Sequence, residues 1–126
     1  MKTSFLLMLL FSMQLCAQAH SKNNFDGVRS YLLEIQKAVN YAPNSKKEKI
    51  NKLDQVISQG KEQRRILQQS LKNAQGYDPD EIIREFNLIL QAVILLKTDI
   101  NKNVPLSLDI DYLNKKIPYL RKKLHP

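Results

Sequence analysis

The feature that most constrains the fold is a helical repeat of apolar residues along most of the chain. Leucine, isoleucine, valine and aromatic residues recur at every third or fourth position in four separate segments. This spacing places them along one face of an α-helix, whereas strict alternation would indicate a strand. Glycine, which interrupts helices, occurs only three times in the 126 residues. The pattern therefore predicts an all-α protein.

The first of these helices is expected over residues 26–41, where apolar side chains line one face. Pro43 ends it, because a proline inside a helix removes a hydrogen bond and clashes with the preceding turn. The apolar face consists of Val28, Tyr31, Leu32, Ile35 and Val39.

A long second helix is expected to begin after Ser45 and to end near Gln75. Ser45 and Glu48 have the spacing of a capping box, in which each side chain satisfies a free N–H at the helix start. Gly76 supplies the left-handed stop. Gly60 lies on the apolar stripe in mid-helix, so we expect a kink or a close helix crossing there. The stripe consists of Ile50, Leu53, Ile57, Leu67, Leu71 and Ala74.

The third helix has the strongest start signal in the chain. Asp78 is a good N-cap, and Pro79 suits the first helical position. The helix is expected to reach Asn103, just before Val104 and Pro105. Its buried seam is predicted to contain Ile82, Phe86, Ile89, Val93, Leu96 and Ile100, widened by Ile83, Leu90 and Ile94.

The last helix is expected over residues 107–124, with a kink or a division at Pro118. Its predicted seam consists of Ile110, Leu113, Ile117, Leu120 and Leu124. Short connections between successive helices favour antiparallel neighbours. We therefore predict a small antiparallel four-helix bundle with two long central helices and two shorter flanking ones. The alternative is a long helical hairpin that dimerises to complete its core.

The first nineteen residues have the organisation of a cleavable secretory signal. Lys2 gives a positive start, residues 5–13 form a short apolar run, and Ala17 and Ala19 provide small residues at the cleavage site. The run is shorter than the roughly 20 residues that span a bilayer as a helix. We expect cleavage after Ala19. The alternative is lipidation at Cys16, although the residue before it, Leu15, is not the small one that a lipobox requires.

Cleavage would leave residues 20–126, which are enough for a single helical domain. Cys16 is the chain's one cysteine and lies in the signal, so no disulfide would stabilise the exported domain. With no Asn-x-Ser/Thr acceptor either, a bacterial periplasm or exterior is favoured. Lys2 is one of 20 basic residues and no acid precedes residue 20, so 19 basic and 12 acidic residues would remain, a net charge of +7. Such a charge favours anionic partners, of which nucleic acid is the least accessible to an exported protein.

Two leucines one heptad apart fall opposite the main stripe of the third helix. These are Leu88 and Leu95, with Arg84 and Gln91 beside them; we refer to these four residues as the leucine face. Apolar side chains on a polar helix face are candidates for binding a partner protein or a second copy of the chain. The alternative is that another helix of the same chain covers them.

The last helix carries two tyrosines off its seam, flanked by lysines. Tyrosine rings stack on sugars and lie at membrane headgroups, and lysines bind anionic groups. The pattern predicts an anionic-surface site for membrane, lipopolysaccharide or glycan. The alternative is a solvated lysine face with tyrosines packed on neighbouring helices. The residues of this tyrosine–lysine face are Tyr112, Lys115, Lys116, Tyr119, Lys122 and Lys123.

Arg64 is the one basic residue of the second helix that lies on its apolar stripe. We expect it to extend past the apolar surface towards solvent, or to pair with an acid across the bundle. The other basic residues of this helix have positions typical of solvated surface.

No catalytic motif is present, so we do not expect an enzyme. His20 and His125 are the two histidines, and both lie at the ends of the exported domain. Asp109 and Asp111 are two residues apart, which places them on different sides of a helix, and we interpret them as first-turn acids. We predict no metal or other cofactor. The weaker alternative is copper bound by the amine and ring of an N-terminal His20, with His125 as a further ligand.

Taken together, these features predict an exported helical protein that acts through protein–protein contacts, as an inhibitor, immunity-type protein, chaperone or adaptor does. The alternative is a surface-active protein that binds an anionic membrane, lipopolysaccharide or glycan through the tyrosine–lysine face.

Overall fold

A computed structural model describes residues 25–125, which form four helices and, within that range, no strand. The all-α prediction is confirmed. The two central helices, of 27 and 23 residues, are longer than the flanking ones of 15 and 17 residues, as predicted. The predicted signal segment with Cys16, and His20 directly after it, lie outside the described residues. The helices are α1 (Asp26–Asn40), α2 (Lys46–Lys72), α3 (Pro79–Asn101) and α4 (Ser107–Lys123).

The starts of α2 and α3 are capped by the residues that the sequence indicates. The Ser45 hydroxyl accepts a hydrogen bond from the Glu48 N–H at 3.4 Å, and the Asp78 carboxylate accepts one from the Glu81 N–H at 3.3 Å. The reciprocal half of the predicted capping box is wrong. The Glu48 carboxylate instead accepts a hydrogen bond from the Tyr41 hydroxyl at 3.4 Å, because the end of α1 lies beside the start of α2.

The ends of α2 and α3 come earlier than the sequence predicts. Helix α2 ends at Lys72 instead of Gln75, and α3 ends at Asn101 instead of Asn103. Gly76 has the predicted positive φ of 84°, and Asn103 has a φ of 57°. Glycine and asparagine tolerate this left-handed conformation better than other residues, so they mark the turns that follow the helices and not the last helical residues.

Each helix packs against two others. Helix α1 contacts α2 and α4, and α3 also contacts α2 and α4, so the chain closes its core within one copy. This differs from the hairpin alternative, in which a second copy would complete the core. The predicted seam of α3 is entirely buried, and the apolar face of α1 is buried as well. The largest fully buried side chains are Leu32, Ile35, Leu53, Leu67, Phe86, Ile89, Leu96, Leu113, Ile117, Leu120 and Leu124.

Tyr31 joins three helices at the centre of the core. Its hydroxyl donates a hydrogen bond to the Val56 carbonyl of α2, and its ring lies 6.2 Å from the ring of Phe86 on α3, centroid to centroid. The hydrogen bond satisfies the one polar group of an otherwise apolar contact. Burial raises the pKa of Tyr31 to about 12, so this hydroxyl keeps its proton throughout the physiological range.

Gly60 allows α3 to approach α2 closely, which is one of the two predicted outcomes. Helix α2 runs through Gly60 without interruption. A Cβ atom placed there would lie 3.0 Å from a methyl group of Leu90 and 3.3 Å from the Tyr31 hydroxyl. A side chain at this position would therefore force the Leu90 side chain to move.

Ile94 is 48% exposed, so the prediction that it widens the buried seam of α3 is wrong. At this level an ion pair between Lys97 and Asp54, 2.5 Å apart, lies at the boundary between α3 and α2. Ile94 lies beyond the edge that α2 covers.

Of the two outcomes expected for Arg64, pairing with an acid across the bundle is replaced by pairing with an amide. Its guanidinium donates a hydrogen bond to the Asn87 side chain of α3 at 3.4 Å, because an asparagine is the polar residue that α3 presents at this level. Pro118 does not divide α4, which continues on both sides of it. None of the helices in residues 25–125 has both the length and the apolar character needed to cross a membrane.

The end of α1 is held by a lysine of α2. The Lys49 ammonium group donates hydrogen bonds to the carbonyls of Ala38, at 2.7 Å, Val39, at 2.5 Å, and Tyr41. A cation at the C-terminus of a helix satisfies free carbonyls and complements the helix dipole. Burial lowers the pKa of Lys49. This contact fixes the α1–α2 corner.

Candidate binding surfaces

The leucine face is exposed. Leu88 is 38% exposed and Leu95 is 51% exposed, and Arg84 and Gln91 between and beside them also face solvent. The alternative that another helix covers these leucines therefore does not hold within residues 25–125. Exposed leucines on a central helix stand out because the other side of the same helix fills the core.

A groove between α2 and α3 runs beside the leucine face and has a volume of about 730 Å³. Three of the four residues of the leucine face line it, and Leu95 lies beyond its end. Leu71 of α2 and Ile83 of α3 contribute further apolar surface, and Lys72 adds a second cation to that of Arg84. The sequence did not indicate the α2 half of this groove, because it depends on which side of α2 faces α3.

The structure divides the tyrosine–lysine face into two parts. Lys116 forms an ion pair with Glu85 of α3 at 3.5 Å, and Lys123 forms one with Glu81. Both ammonium groups also lie over the Tyr119 ring, 5.3 and 4.9 Å from its centroid. Glu81 and Tyr119 raise the pKa of Lys123 above its usual range. These two lysines are therefore already paired within the chain.

The other part of this face remains open to solvent. Tyr112, Lys115 and Lys122 are exposed, and Tyr119 is exposed as well. Among residues 25–125, neither Lys115 nor Lys122 has an acidic partner within ion-pair distance. The charge available for an anionic surface is thus smaller than the sequence indicates.

The leucine face lies on α3 and the tyrosine–lysine face lies on the neighbouring helix α4. Glu85 is level with Lys116, and Asp99 is level with Asp109, which it contacts. Tyr112 lies between Lys116 and Asp109 on α4. It is therefore level with the segment of α3 that carries the two leucines.

Asp109 faces another acid, which the interpretation as a first-turn acid does not explain. Burial first, and then a hydrogen bond with Asp99 of α3 and repulsion from it, together raise the pKa of Asp109 to about 6. Asp109 does lie in the first turn of α4, whereas Asp111 lies beyond that turn and is exposed. The sequence could not pair Asp99 with Asp109, because ten residues and a turn separate them.

A third surface is the groove between α1 and α4, which has a volume of about 680 Å³ and is lined by several basic residues. Arg29 and Arg121 contribute to it from opposite helices. The sequence analysis did not identify this surface. The sequence held one signal for this surface. Arg121 lies next to the apolar seam of α4, so its guanidinium is expected to extend along a neighbouring helix towards solvent.

No group of three or more histidine, cysteine, aspartate or glutamate side chains in residues 25–125 is arranged to hold a metal ion. His125 is exposed at the end of the described chain, and His20 lies outside it, so the copper alternative is not tested. Comparisons with known proteins give no match to a family model, to a curated protein or to a solved structure.

Proposed function

We propose that this chain is an exported, non-enzymatic binding protein whose leucine face and α2–α3 groove hold another protein of the envelope or exterior. Inhibitors, immunity-type proteins, chaperones and adaptors act in this way. The observation that carries the proposal is the exposure of Leu88 and Leu95 on a helix whose remaining apolar side chains are largely buried. Within residues 25–125, neither of these two leucines is part of the buried core.

A helix of the partner fits this surface best. The groove lies between two helices, and a third helix that lies along it would contact apolar side chains at a spacing of three and four residues. Covering a leucine that is half-exposed stabilises a complex by roughly 1 kcal/mol. Leu88 and Leu95 would therefore provide the centre of a moderate interface, and Arg84 and Gln91 would supply polar contacts around it.

The partner is expected to be acidic. Residues 20–126 have a net charge of +7, and Lys72 and Arg84 line the groove together with one acid, Asp80. Opposite charge accelerates the encounter of two proteins and disfavours wrong partners. A second copy of this chain would bring two strongly positive molecules together. Charge therefore favours an acidic amphipathic helix over a homodimer.

The test is an affinity pull-down from native envelope extract. The bait is the protein as its own cells accumulate it, with residues 1–19 removed if its cells remove them. Three versions serve as bait: the natural chain, a Leu88→Asp/Leu95→Asp variant, and a control with Asn51→Asp and Ser58→Asp. The control adds the same charge at the same heptad spacing, on exposed positions of α2. We expect one acidic protein to bind the natural chain and the control but not the leucine variant.

Binding is then measured with the purified partner. We expect the leucine variant to weaken it by about a hundredfold, since two interface leucines and two unfavourable charges are involved. Circular dichroism should show unchanged helicity in all three versions. Equal binding by the leucine variant and the natural chain would exclude the leucine face as the interface.

We also propose that the four helices form an antiparallel bundle. Lys46 at the start of α2 donates a hydrogen bond to Asn103, just after the end of α3, at 3.0 Å. Arg64 in the second half of α2 contacts Asn87 in the first half of α3. The ion pairs between α3 and α4 follow the same reversed order. Nuclear Overhauser contacts test this order: contacts between the starts of α2 and α3 would contradict it.

Export is part of the proposal and has its own test. We infer that residues 1–19 direct secretion and are removed after Ala19, leaving residues 20–126 as one domain. The positive start, the apolar run and the small residues near Ala19 support this inference. Intact mass measurement of the protein from the envelope and the medium should give the mass of residues 20–126. A heavier, lipid-bearing species that begins at Cys16 would identify a lipoprotein instead, and the full-length chain in the cytoplasm would contradict export.

The second candidate function is binding to an anionic membrane, lipopolysaccharide or glycan through the open part of the tyrosine–lysine face. The observation in its favour is that Tyr112 and Tyr119 are exposed on the helix that also carries exposed Lys115 and Lys122. It predicts binding to vesicles of anionic phospholipid that weakens steeply between 0.05 and 0.5 M salt, because screening acts on exposed charges. Lys115→Gln should reduce this binding, and Lys122 is left in place because it also lines the groove between α1 and α4; if Lys115→Gln does not reduce it, another surface is responsible.

A further inference from the structure

The groove between α1 and α4 concentrates positive charge. Arg29 of α1 and Arg121 and Lys122 of α4 line it, and Asp26 is the one acid among its lining residues within the described chain. Three cations and one carboxylate leave an excess of two positive charges. Ser30 adds a hydroxyl that can donate a hydrogen bond. This is the composition of a site that binds an anion.

Arg29 and Arg121, which line this groove, each have one guanidinium nitrogen that is buried without a hydrogen-bond acceptor. These nitrogens are Nη1 of Arg29 and Nε of Arg121, which have no acceptor among residues 25–125. The second terminal nitrogen of Arg29 forms an ion pair with Asp26, so this residue is only partly satisfied. Buried N–H groups are almost always hydrogen-bonded in folded proteins, and an exception often marks the place of a bound ion or water.

We propose that the α1–α4 groove binds a phosphate group carried by a larger molecule. A guanidinium presents its N–H groups in a planar fork that matches two oxygens of a phosphate, and two such groups from opposite helices can hold one tetrahedral anion. A phosphate dianion also balances the excess charge of two. A carboxylate would balance only half of it, and a water molecule would balance none. The volume of the groove, about 680 Å³, leaves room for the rest of the molecule.

This site is independent of the proposed protein-binding surface. The leucine face and its groove belong to α2 and α3, whereas the phosphate groove belongs to α1 and α4. A variant in one of them leaves the other unchanged. The outcome of the pull-down therefore does not affect the interpretation of phosphate binding.

The experiment is a titration of the protein, in the form that its cells accumulate, with inorganic phosphate and with glycerol 3-phosphate. Nuclear magnetic resonance follows the Nε–H signal of Arg121, and calorimetry gives the affinity. We expect saturable binding and a downfield shift of that signal, because the N–H gains a charged acceptor. Arg121→Gln should weaken the binding about tenfold or more. Arg65→Gln, which removes an exposed arginine of α2, is the control with the same change of charge and should leave the affinity within about twofold.

Three results would overturn the proposal. The first is the absence of saturable phosphate binding. The second is an equal loss of affinity in the Arg121 and Arg65 variants, which would indicate unspecific attraction by net charge. If Arg121→Gln does not fold, Lys122→Gln takes its place, since this lysine is exposed and its removal leaves the packing intact. The third result that would overturn the proposal is then an unchanged phosphate affinity in Lys122→Gln.

Vesicles distinguish the two sources of the phosphate. Binding to phosphatidylglycerol vesicles but not to phosphatidylcholine vesicles, with loss of binding in Arg121→Gln, would identify an anionic lipid headgroup. Binding to glycerol 3-phosphate without vesicle binding would identify a soluble phosphate ester. Vesicle binding that survives Arg121→Gln would exclude the lipid source for this groove and assign the membrane to another face.

Discussion

At the scale of single residues, Asp109 links the stability of this protein to pH. Its carboxyl group has a pKa of about 6 in the folded chain against 3.8 in its ordinary state, because it is buried next to Asp99. The folded state thus holds a proton that the unfolded state has already lost between about pH 4 and pH 6. The stabilising contribution of this proton is complete below pH 4 and is lost as the pH rises through 6.

We therefore expect Asp109→Asn to stabilise the protein at pH 7, because it removes a charge that faces Asp99. A shift of this size in a partly exposed group gives a gain of about 1 kcal/mol in the free energy of unfolding. Urea unfolding at pH 4.5 and pH 7 measures it. The gain should be smaller at pH 4.5, where Asp109 already holds its proton. Asp111→Asn is the control, since it removes an exposed carboxylate from the same turn. Equal effects of the two variants would contradict the pairing of Asp109 with Asp99.

The ion pair between Lys116 and Glu85 is the second residue-level prediction. Glu85 is 8% exposed, and Lys116 is its partner at 3.5 Å. Lys116→Met keeps the apolar stem but leaves the carboxylate unpaired, so it should lower the free energy of unfolding by about 1–3 kcal/mol. Lys115→Met, one residue away on the exposed side, should change it by less than about 0.5 kcal/mol. Thermal and urea unfolding give both values; similar losses in the two variants would mean that Glu85 is well hydrated.

At the scale of helices, Gly60 sets the distance between α2 and α3. Gly60→Val should lower the free energy of unfolding by about 1–3 kcal/mol, because its methyl groups would overlap Leu90 and the Tyr31 hydroxyl. Gly27→Val is the matched control, since a Cβ at Gly27 meets nothing within 4 Å. Urea unfolding compares them. A loss in Gly27→Val as large as that in Gly60→Val would show that the cost comes from valine in a helix and not from the crossing.

The sequence predicts the helices of this chain well because their signals are local. Ser45 and Asp78 cap the helices at the predicted residues, and all six residues of the predicted seam of α3 are buried. The ends are less well predicted, since Gly76 and Asn103 each mark a left-handed turn that lies up to four residues after the last helical residue. Ile94 shows the same limit: periodicity places it near the core, but the edge of the neighbouring helix decides its burial.

At the scale of the whole molecule, the sequence indicates which residues leave the core but not what they meet. A helical wheel is enough to single out Leu88 and Leu95, but it leaves open whether another helix covers them, and the packing of the helices shows that they are exposed. The wheel cannot show that Lys116 and Lys123 meet acids of α3, because those pairs depend on how α4 is rotated and how far it is shifted along α3. For the same reason it could not reveal that Arg29 and Arg121 share a groove.

The charge of the whole molecule determines whether the leucine face binds a second copy. With a net charge of +7 on residues 20–126, two copies repel each other at low salt, and at 0.1 M salt the repulsion still acts over about 10 Å. Each copy also closes its own core through contacts between α1 and α4, so dimerisation is not needed for folding. We therefore expect a monomer at micromolar concentration in 0.1 M salt, measured by sedimentation velocity. Leu88→Asp/Leu95→Asp should sediment in the same way as the natural chain. A dimer that this double variant dissociates would contradict an acidic partner and assign the leucine face to self-association.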